Sequence, residues 1–511
     1  GSAAAIAQKQ RKEDQFHDKM LVDKNNTKWK GGLLMRTIIQ QILSKATDKF
    51  INYYEENGMK PIALITEDIK NISDGMAKEI VTTFIESADQ SICEAKAERK
   101  TDGITIHEKK VPRTVYTALG SLTYHRTYFK VPSGRSYLVD KILGVGAYER
   151  IDSGVSAKLV NHAAIHSYGR SADIVTDGQI SRQSVRNKVM NTGEVAYVPK
   201  KAEETPEILH IFADEDHVNL QEGGNAIVPI VTVCGGKRYV CKGRNELTEP
   251  FHVQGYGMKT RTFWEYVYAL CAEKYDMDRV KRVYIYGDGA GWITGYTEVF
   301  SDALYVLDEF HFRKRMKGLF AGELCSPFRL VAHKAIQSDD KILFDRIVQG
   351  MLIEVEERMP EGKERTGRIK RIKENAAYIL KHWDGVQNRM RSDTIGSATE
   401  AMVSHVLSAR LSRNPMGWSR EGLSKMSMIR VYVINGGKIK PKDTVAWKRN
   451  PDKCTVTTEL EKYETIVKSQ QDEILKNAKG WRWFEVEDWI SGKTTGTKVA
   501  LDALGRTRNV S

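Results

Sequence analysis

From Pro206 onward the chain breaks into short runs of two periodicities, and two of the strand-like runs stop at an aspartate. The run 208–213 leads into Asp214. The runs 226–233 and 238–241 follow, split by Gly235-Gly236, and all three have the β-branched and aromatic character of strands. They predict a β-meander. A helical run covers about 260–275, and a fourth strand-like run, 283–287, ends at Asp288. A short helical crossover then reaches a fifth run, 303–307. The order β-β-β-α-β-α-β constrains the fold more than any other feature. It predicts an α+β or α/β core of RNase H-like type, spanning 205–311, within a multidomain chain.

A third acid, Glu400, lies at the start of a later helical segment, Ser397-Ala398-Thr399-Glu400. Two carboxylates at strand ends and one on a helix can converge on one point. Carboxylates are the ligands that Mg²⁺ or Mn²⁺ prefers. Two such ions about 4 Å apart would serve phosphodiester cleavage by activating a water and neutralising charge. Each acid also has a plainer reading. Asp214 belongs to the cluster Asp214-Glu215-Asp216-His217. Asp288, between Gly287 and Gly289, suits a turn. Glu400, three residues after Ser397, matches a capping box. Together, in this order, they favour a site. Asp308 ends the fifth run and would cap the helix after it, while His311 could stand near the acids.

Formal net charge is +13 over 511 residues, which favours a polyanionic partner. The length predicts two to four domains. No apolar run approaches the roughly 18–20 residues of a membrane helix, and no signal peptide is visible. The six cysteines, Cys93, Cys234, Cys241, Cys271, Cys325 and Cys454, form no Cys-x-x-Cys pair, which argues against structural zinc. Residues 1–30 read as a flexible lead opening on Gly1-Ser2-Ala3-Ala4-Ala5, a vector remnant. Region 31–103 is predicted helical, with helices at 33–57 and 73–98 and a possible role in dimerisation. Region 104–150 is a small β-hairpin unit from which Arg126, Lys130 and Arg135 could face phosphates.

Region 151–200 has a helix–turn–helix pattern. Ser181 is a good N-cap, and Arg182, Gln183, Arg186, Asn187 and Lys188 would form a polar helix face. A groove-reading helix and an ordinary polar αα-hairpin both give this string. Region 312–390 is a helical insertion with 17 Lys and Arg against 11 Asp and Glu. Arg313, Lys314 and Arg315 open it, and it could follow a DNA backbone or be a solvated bundle. Region 391–430 returns to the core with Glu400. Region 431–511 is predicted to hold a helix at 460–475 and an aromatic cluster, Trp481, Trp483, Phe484 and Trp489.

The segments Ala213-Asp214-Glu215-Asp216-His217, Tyr286-Gly287-Asp288-Gly289-Ala290-Gly291-Trp292 and Gly396-Ser397-Ala398-Thr399-Glu400 resemble those of the ISLre-type insertion-sequence transposases, bacterial relatives of the Mutator-like group. Leu307-Asp308-Glu309-Phe310-His311 is similar to the Cys/Asp-x-x-His motif of that wider group. The resemblance is strongest over about 205–425. It implies a DDE-type RNase H-like fold with a helical insertion before the glutamate. It implies Asp214, Asp288 and Glu400 as metal ligands, with Asp216 an alternative to Asp214. It also implies binding of double-stranded DNA at terminal inverted repeats, strand cleavage and transfer into target DNA, and assembly as a dimer or larger synaptic complex. A bacterial, nucleoid-associated cytoplasmic protein is expected. The alternatives are a nuclease without strand transfer and a non-catalytic transposase-derived DNA-binding protein.

Overall fold

The computed structural model describes residues 38–242 and 244–444. The predicted lead, the helix at 460–475 and the C-terminal aromatic cluster lie outside the described residues. Two compact units divide the rest, one up to Asp152 and one from Ser153.

In the first unit a helix runs through 38–57, and a long helix, α1 (Ile62–Glu94), follows Pro61. It begins eleven residues before the predicted start at 73, because nothing between 62 and 73 is a helix breaker. A hairpin, β1 (Thr105–Thr117) with β2 (Gly120–Val131), extends to a short β3 (Gly134–Ser136). The turns fall at Gly120 and Gly134, both at positive φ. Ile85 and Ile92 of α1 pack on Val115, Leu122, Tyr124 and Phe129 of the sheet.

Arg126 does not face outward. It is buried, ion-paired with Asp140, and lies 3.5 Å from the centre of the Tyr137 ring. It shares a strand face with Leu122 and Tyr124, so only the counter-charge on the following short helix makes its burial tolerable. Lys130 and Arg135 are exposed and opposite each other in register.

The second unit is built on a five-stranded mixed sheet. Its strands are β4 (Ile208–Asn219), β5 (Asn225–Cys234), β8 (Phe251–Gln254), β9 (Arg282–Gly287) and β10 (Leu304–Leu307), in the spatial order β10-β9-β4-β5-β8. β4, β5 and β8 pair antiparallel; β9 is parallel to β4, and β10 to β9. The predicted third strand was misplaced. Residues 238–241 belong to β6 (Lys237–Cys241), which pairs only with β7 (Arg244–Leu247) in a separate hairpin. Every residue of β6 is exposed, whereas Phe251, His252 and Val253 of β8 are buried. The burial pattern, not the β-propensity, separates the two.

Alternation along β4 sorts its side chains. Leu209, Ile211 and Ala213 pack with Phe263, Trp264 and Val267 of helix α5 (Thr260–Lys274); α2 to α4 are Ser153–Ala163, Tyr168–Thr176 and Arg182–Asn191. Phe212 packs on the other face with Tyr284, Tyr286 and Val306, beneath Ile395 and Ala398. The insertion forms a core of its own. Helices α6 (Glu309–Leu319), α7 (Arg329–Gln337), α8 (Lys341–Arg358), α9 (Lys363–Lys381) and α10 (Trp383–Asn388) bury Phe344, Met351, Val355, Ile372 and Ile379. The predicted periodic positions Ile347, Met351, Leu352 and Val355 are all inside, and Leu343 is partly buried. Among the described residues no helix is long and apolar enough to cross a membrane.

Candidate functional site

Strand register brings the two aspartates together. Phe212 of β4 stands opposite Tyr286 of β9. Two residues further along come Asp214, inside β4, and Asp288, the first residue after β9, and the two carboxyls interact. Asp308 ends the next strand at the same level, its N–H donating to the Gly287 carbonyl at 2.9 Å. The close approach needs glycine. A Cβ on Gly287 would lie 3.0 Å from the Ala213 carbonyl oxygen, and one on Gly289, at φ +82°, would fall 2.2 Å from the His382 ring.

The loop after β9 is fastened from several sides. Asp288 accepts the Ala290 N–H at 2.8 Å, and Tyr305 donates to the Gly287 carbonyl at 2.9 Å. The Tyr378 hydroxyl donates to the Asp288 carbonyl. Asp214 accepts the Glu215 N–H at 2.9 Å. Burial, reinforced by the charges of Asp288 and Glu215, pushes the Asp214 carboxyl up to about 7, against the Glu215 N–H and His311. Like charges held this close in a half-buried setting form a site that favours an incoming cation.

Asp308 behaves in the opposite way. Burial alone would raise it, but hydrogen bonds from His311, Ser397 and Thr399 outweigh that and hold it well below the ordinary carboxylate range. It caps α6 as predicted, accepting the His311 N–H at 3.1 Å. His311 is raised by its bond to Asp308, with Asp288 and Asp214 adding to the effect. It therefore stands within electrostatic reach of the aspartate pair.

Asp214 and Asp216 share a strand face but not an environment. Asp216 is buried and accepts the hydroxyls of Ser412 at 2.8 Å and Ser408 at 3.1 Å. Its oxygens bind the Glu400-bearing helix to β4, whereas those of Asp214 lie beside Asp288.

Glu400 is on the first turn of the helix Thr399–Met402, which continues as a π-helix, Val403–Ser408. Such wide turns concentrate at functional sites. The capping box is not formed: Ala398 occupies the cap position and Ser397 donates to Asp308 instead. The Glu400 side chain is exposed. Among the described residues no three His, Cys, Asp or Glu side chains are gathered closely enough to hold a metal ion. The two aspartates are thus juxtaposed, and the glutamate arrives on a neighbouring segment without joining them.

The segment leading to Glu400 is a strap that turns at 391–394 and then runs without regular structure, its alternate residues fastened to the sheet and to Asp308. Arg391 donates to the Tyr284 hydroxyl at 2.9 Å, which donates to Asp393 at 2.7 Å. The Ile395 N–H reaches the Tyr286 hydroxyl at 3.3 Å, and Ser397 and Thr399 reach Asp308. Sequence reasoning missed this role for Tyr284 and Tyr286. The signal was present: two polar-tipped aromatics at i and i+2 in a buried strand need partners.

The predicted polar helix face is present on α4. The Ser181 hydroxyl accepts the Ser184 N–H at 3.2 Å, Val185 and Val189 are buried, and Arg182, Gln183, Arg186 and Asn187 are exposed. Lys188 is half-buried. The three basic residues predicted at the start of the insertion, all on α6, diverge. Arg313 pairs with Glu309, Lys314 is exposed beside Phe310, and the Arg315 guanidinium lies 4.4 Å from the centre of the Tyr378 ring, next to the Asp288 loop.

Comparison with known proteins places the chain. The profile of Uncharacterised protein family (UPF0236) matches residues 55–449, and the chain belongs to that family. A UPF0236 protein of Caldanaerobacter subterraneus subsp. tengcongensis is 35% identical over 415 residues, 80% of this chain and 85% of its own length. A second from that organism is 33% identical over 414 residues, 80% and 86% of the two chains. A third is 33% identical over 429 residues, 81% and 84%. The matched span contains Asp214, Asp288, Asp308, His311 and Glu400.

Proposed function

We propose that the chain is a DNA transposase of the DDE type, related to the ISLre-type enzymes, with the mixed sheet serving as an RNase H-like core. The observation that carries this reading is the register that sets Asp214, midway along β4, beside Asp288, just past the end of the adjacent parallel strand β9. The strand order, with three antiparallel strands continued by two parallel ones, supports the RNase H-like reading. So does a separately packed helical insertion lying between Asp308 and Glu400. The name of one relative joins eleven locus designations within a single genome. Another joins four. Repeated occurrence in one genome is what a self-propagating element leaves behind.

The donor set suits a hard divalent cation, since two carboxylates repel one another across the pair and a third, exposed on the helix Thr399–Met402, stands on a neighbouring segment. Asp214 and Asp288 would hold Mg²⁺ or Mn²⁺, two ions per site, with Glu400 completing the site only after its helix moves toward the pair, from which it stands apart. When bound, these ions lower the pKa of an attacking water and neutralise charge on the scissile phosphate. The protein's part is to hold Asp288 through the Ala290 N–H and the two tyrosines, Tyr305 and Tyr378, and to present the His311 ring beside the reacting phosphate. In cleavage a water oxygen bonds to phosphorus as the P–O3′ bond breaks, and a proton passes to the departing 3′-hydroxyl. In transfer that hydroxyl attacks a target phosphate and displaces a second 3′-oxygen. No covalent protein–DNA intermediate arises.

Under this reading the partners are double-stranded element ends and target DNA. Arg182, Gln183, Arg186, Asn187, Lys188, Lys130 and the Arg313–Arg315 group would contact DNA; Arg126 would not. The assembly is a dimer or larger, in the bacterial cytoplasm at the nucleoid. The test is incubation of the full chain with Mg²⁺ and linear DNA carrying the termini of its own element. Nicking at the boundary and joined element–target molecules are expected, and Asp288→Asn should abolish both while keeping DNA binding. Cutting without joined products would mean a nuclease. Equal nicking by both proteins would remove the catalytic assignment and leave a DNA-binding protein.

A further inference from the structure

The Glu400 side chain is exposed, yet the residues just before it are held tightly, and one buried side chain does the holding. Asp308 is 1% exposed. Its two carboxylate oxygens divide their work between two elements. Oδ2 accepts the His311 N–H at 3.1 Å and faces the His311 ring Nδ1 at 3.3 Å. Oδ1 accepts the hydroxyls of Ser397 and Thr399. The backbone of Asp308 is also fixed, donating to Gly287 next to Asp288 and accepting the Phe312 N–H, each at 2.9 Å. One residue therefore touches three parts of the site: the β9 end that carries Asp288, the helix that carries His311, and the strap that delivers Glu400.

This junction exceeds what a helix cap requires. A cap needs one acceptor for one N–H at the start of α6. The remaining oxygen is directed at a segment 89 to 91 residues further along the chain. Upstream, Arg391 and the Ile395 N–H donate to the Tyr284 and Tyr286 hydroxyls, while Asp393 accepts the Tyr284 hydroxyl and pairs with Arg282. The bonds to Asp308 are the last before Glu400, and there the charged acceptor belongs to the core rather than to the strap. Bonds to a charged acceptor are about twice as strong as neutral ones. The π-helix that begins three residues after Glu400 is tied at its far end to Asp216 by Ser408, so Ser397 and Thr399 supply the anchor on the side from which the chain enters.

We infer that Asp308 is a positioning residue that sets where Glu400 and His311 stand relative to Asp214 and Asp288, through the hydroxyls of Ser397 and Thr399 on one oxygen and His311 on the other. The inference rests on the proposed DDE reading for its catalytic consequence, but the latch itself is a statement about structure. Ser397 and Thr399 act through Asp308 and do not touch the reacting atoms. Their loss releases the strap and leaves the cap of α6 intact.

The test is a Ser397→Ala/Thr399→Val double variant, compared with Ser397→Thr/Thr399→Ser, which keeps both hydroxyls. Amide hydrogen exchange on the full chain reads the latch without relying on activity. In the double variant, amides of 399–408 are expected to exchange about tenfold faster or more, while those of α6 remain protected. The hydroxyl-swapped variant should behave as wild type. In a DNA-nicking assay the double variant should lose about tenfold or more in the single-turnover cleavage rate with DNA affinity unchanged. Unchanged exchange at 399–408 would overturn the inference, as would faster exchange with an unaltered cleavage rate. If wild-type protein fails to cut DNA, the transposase reading falls, and the exchange comparison still decides whether Asp308 holds the strap.

Discussion

The two halves of the candidate site are built by different physics. Asp214 and Asp288 are placed by backbone register between adjacent parallel strands, with Gly287 allowing the chains to pass closely. Glu400 is placed by a strap that forms no ladder and is fastened through side chains of Tyr284, Tyr286 and Asp308. A ladder is cooperative, and its rigidity does not depend on any one side chain. A strap held by separate hydrogen bonds, each worth about 0.5–1.5 kcal/mol net, can be loosened one bond at a time. The rigid half presents the repelling carboxylates, and the adjustable half brings the third.

The largest expected effect falls on the rigid half. Asp288→Asn keeps the shape and the Ala290 bond but removes the charge. Strand cleavage should fall by about 10³-fold or more with DNA binding retained, measured as single-turnover nicking. Retention of cleavage within a few-fold would show that the register-built pair is not the reacting centre. Next in size is a pair of glycine substitutions, one in each half. Gly289→Ala must place a methyl group at φ +82° against the His382 ring, whereas Gly396→Ala at φ +77° meets nothing within 4 Å. The first should destabilise by about 2–4 kcal/mol and the second by only about 1–2 kcal/mol, read from urea unfolding. Equal costs would mean that the two halves are equally tight.

How much could be read in advance follows the same division. The strand end expected at Asp214 was misread, since β4 runs on to Asn219 with Asp214 inside it, but Asp288 was visible because a strand reports itself locally through its apolar run and its terminating residue. The cap at Asp308 was visible for the same reason. Its second partner set lies 89 and 91 positions downstream, and no local pattern marks it. Arg126 was misread because its counter-charge, Asp140, sits on a different element. The β6 segment was taken for the third core strand because Tyr239-Val240-Cys241 has strand propensity, yet its flanking charges keep it out of the sheet. Asp214 and Asp216 could not be separated by alternation, since both lie on the same face of β4 as Phe212. The hydroxyls of Ser408 and Ser412, far along the chain, distinguish them by engaging Asp216.

The aspartate pair also predicts a pH signature for the rigid half. Asp214 has an ordinary value of 3.8 and a folded value of about 7. Between those pH values the folded protein keeps a proton that the unfolded chain releases, so stability falls as pH rises through that window. At pH 7.5 without metal, Asp214→Asn should therefore stabilise the protein by roughly 1–2 kcal/mol, less than the full shift because the group is partly exposed. The gain should shrink towards pH 4.5. Added Mg²⁺ should raise the melting temperature of wild type and leave the variant nearly unmoved. A variant no more stable than wild type at pH 7.5 would mean that the pair does not repel as its geometry indicates.

The smallest expected effect lies away from the acids and asks whether cutting and binding are separable. Arg186 is exposed on α4, one turn beyond Arg182. Arg126, also basic, is buried against Asp140. If α4 contacts the duplex, Arg186→Ala should weaken binding to element-end DNA by about tenfold and reduce the slope of log affinity against log salt by about one. Its melting temperature should hardly change, because exposed side chains contribute little to stability. Arg126→Ala should do the reverse, lowering thermal stability by leaving Asp140 buried and unpaired while the salt slope stays as it was. Both are arginines in the half of the chain before the five-stranded sheet, so charge count alone would assign them the same role. A salt slope that changes for Arg126 but not for Arg186 would move the DNA interface off α4.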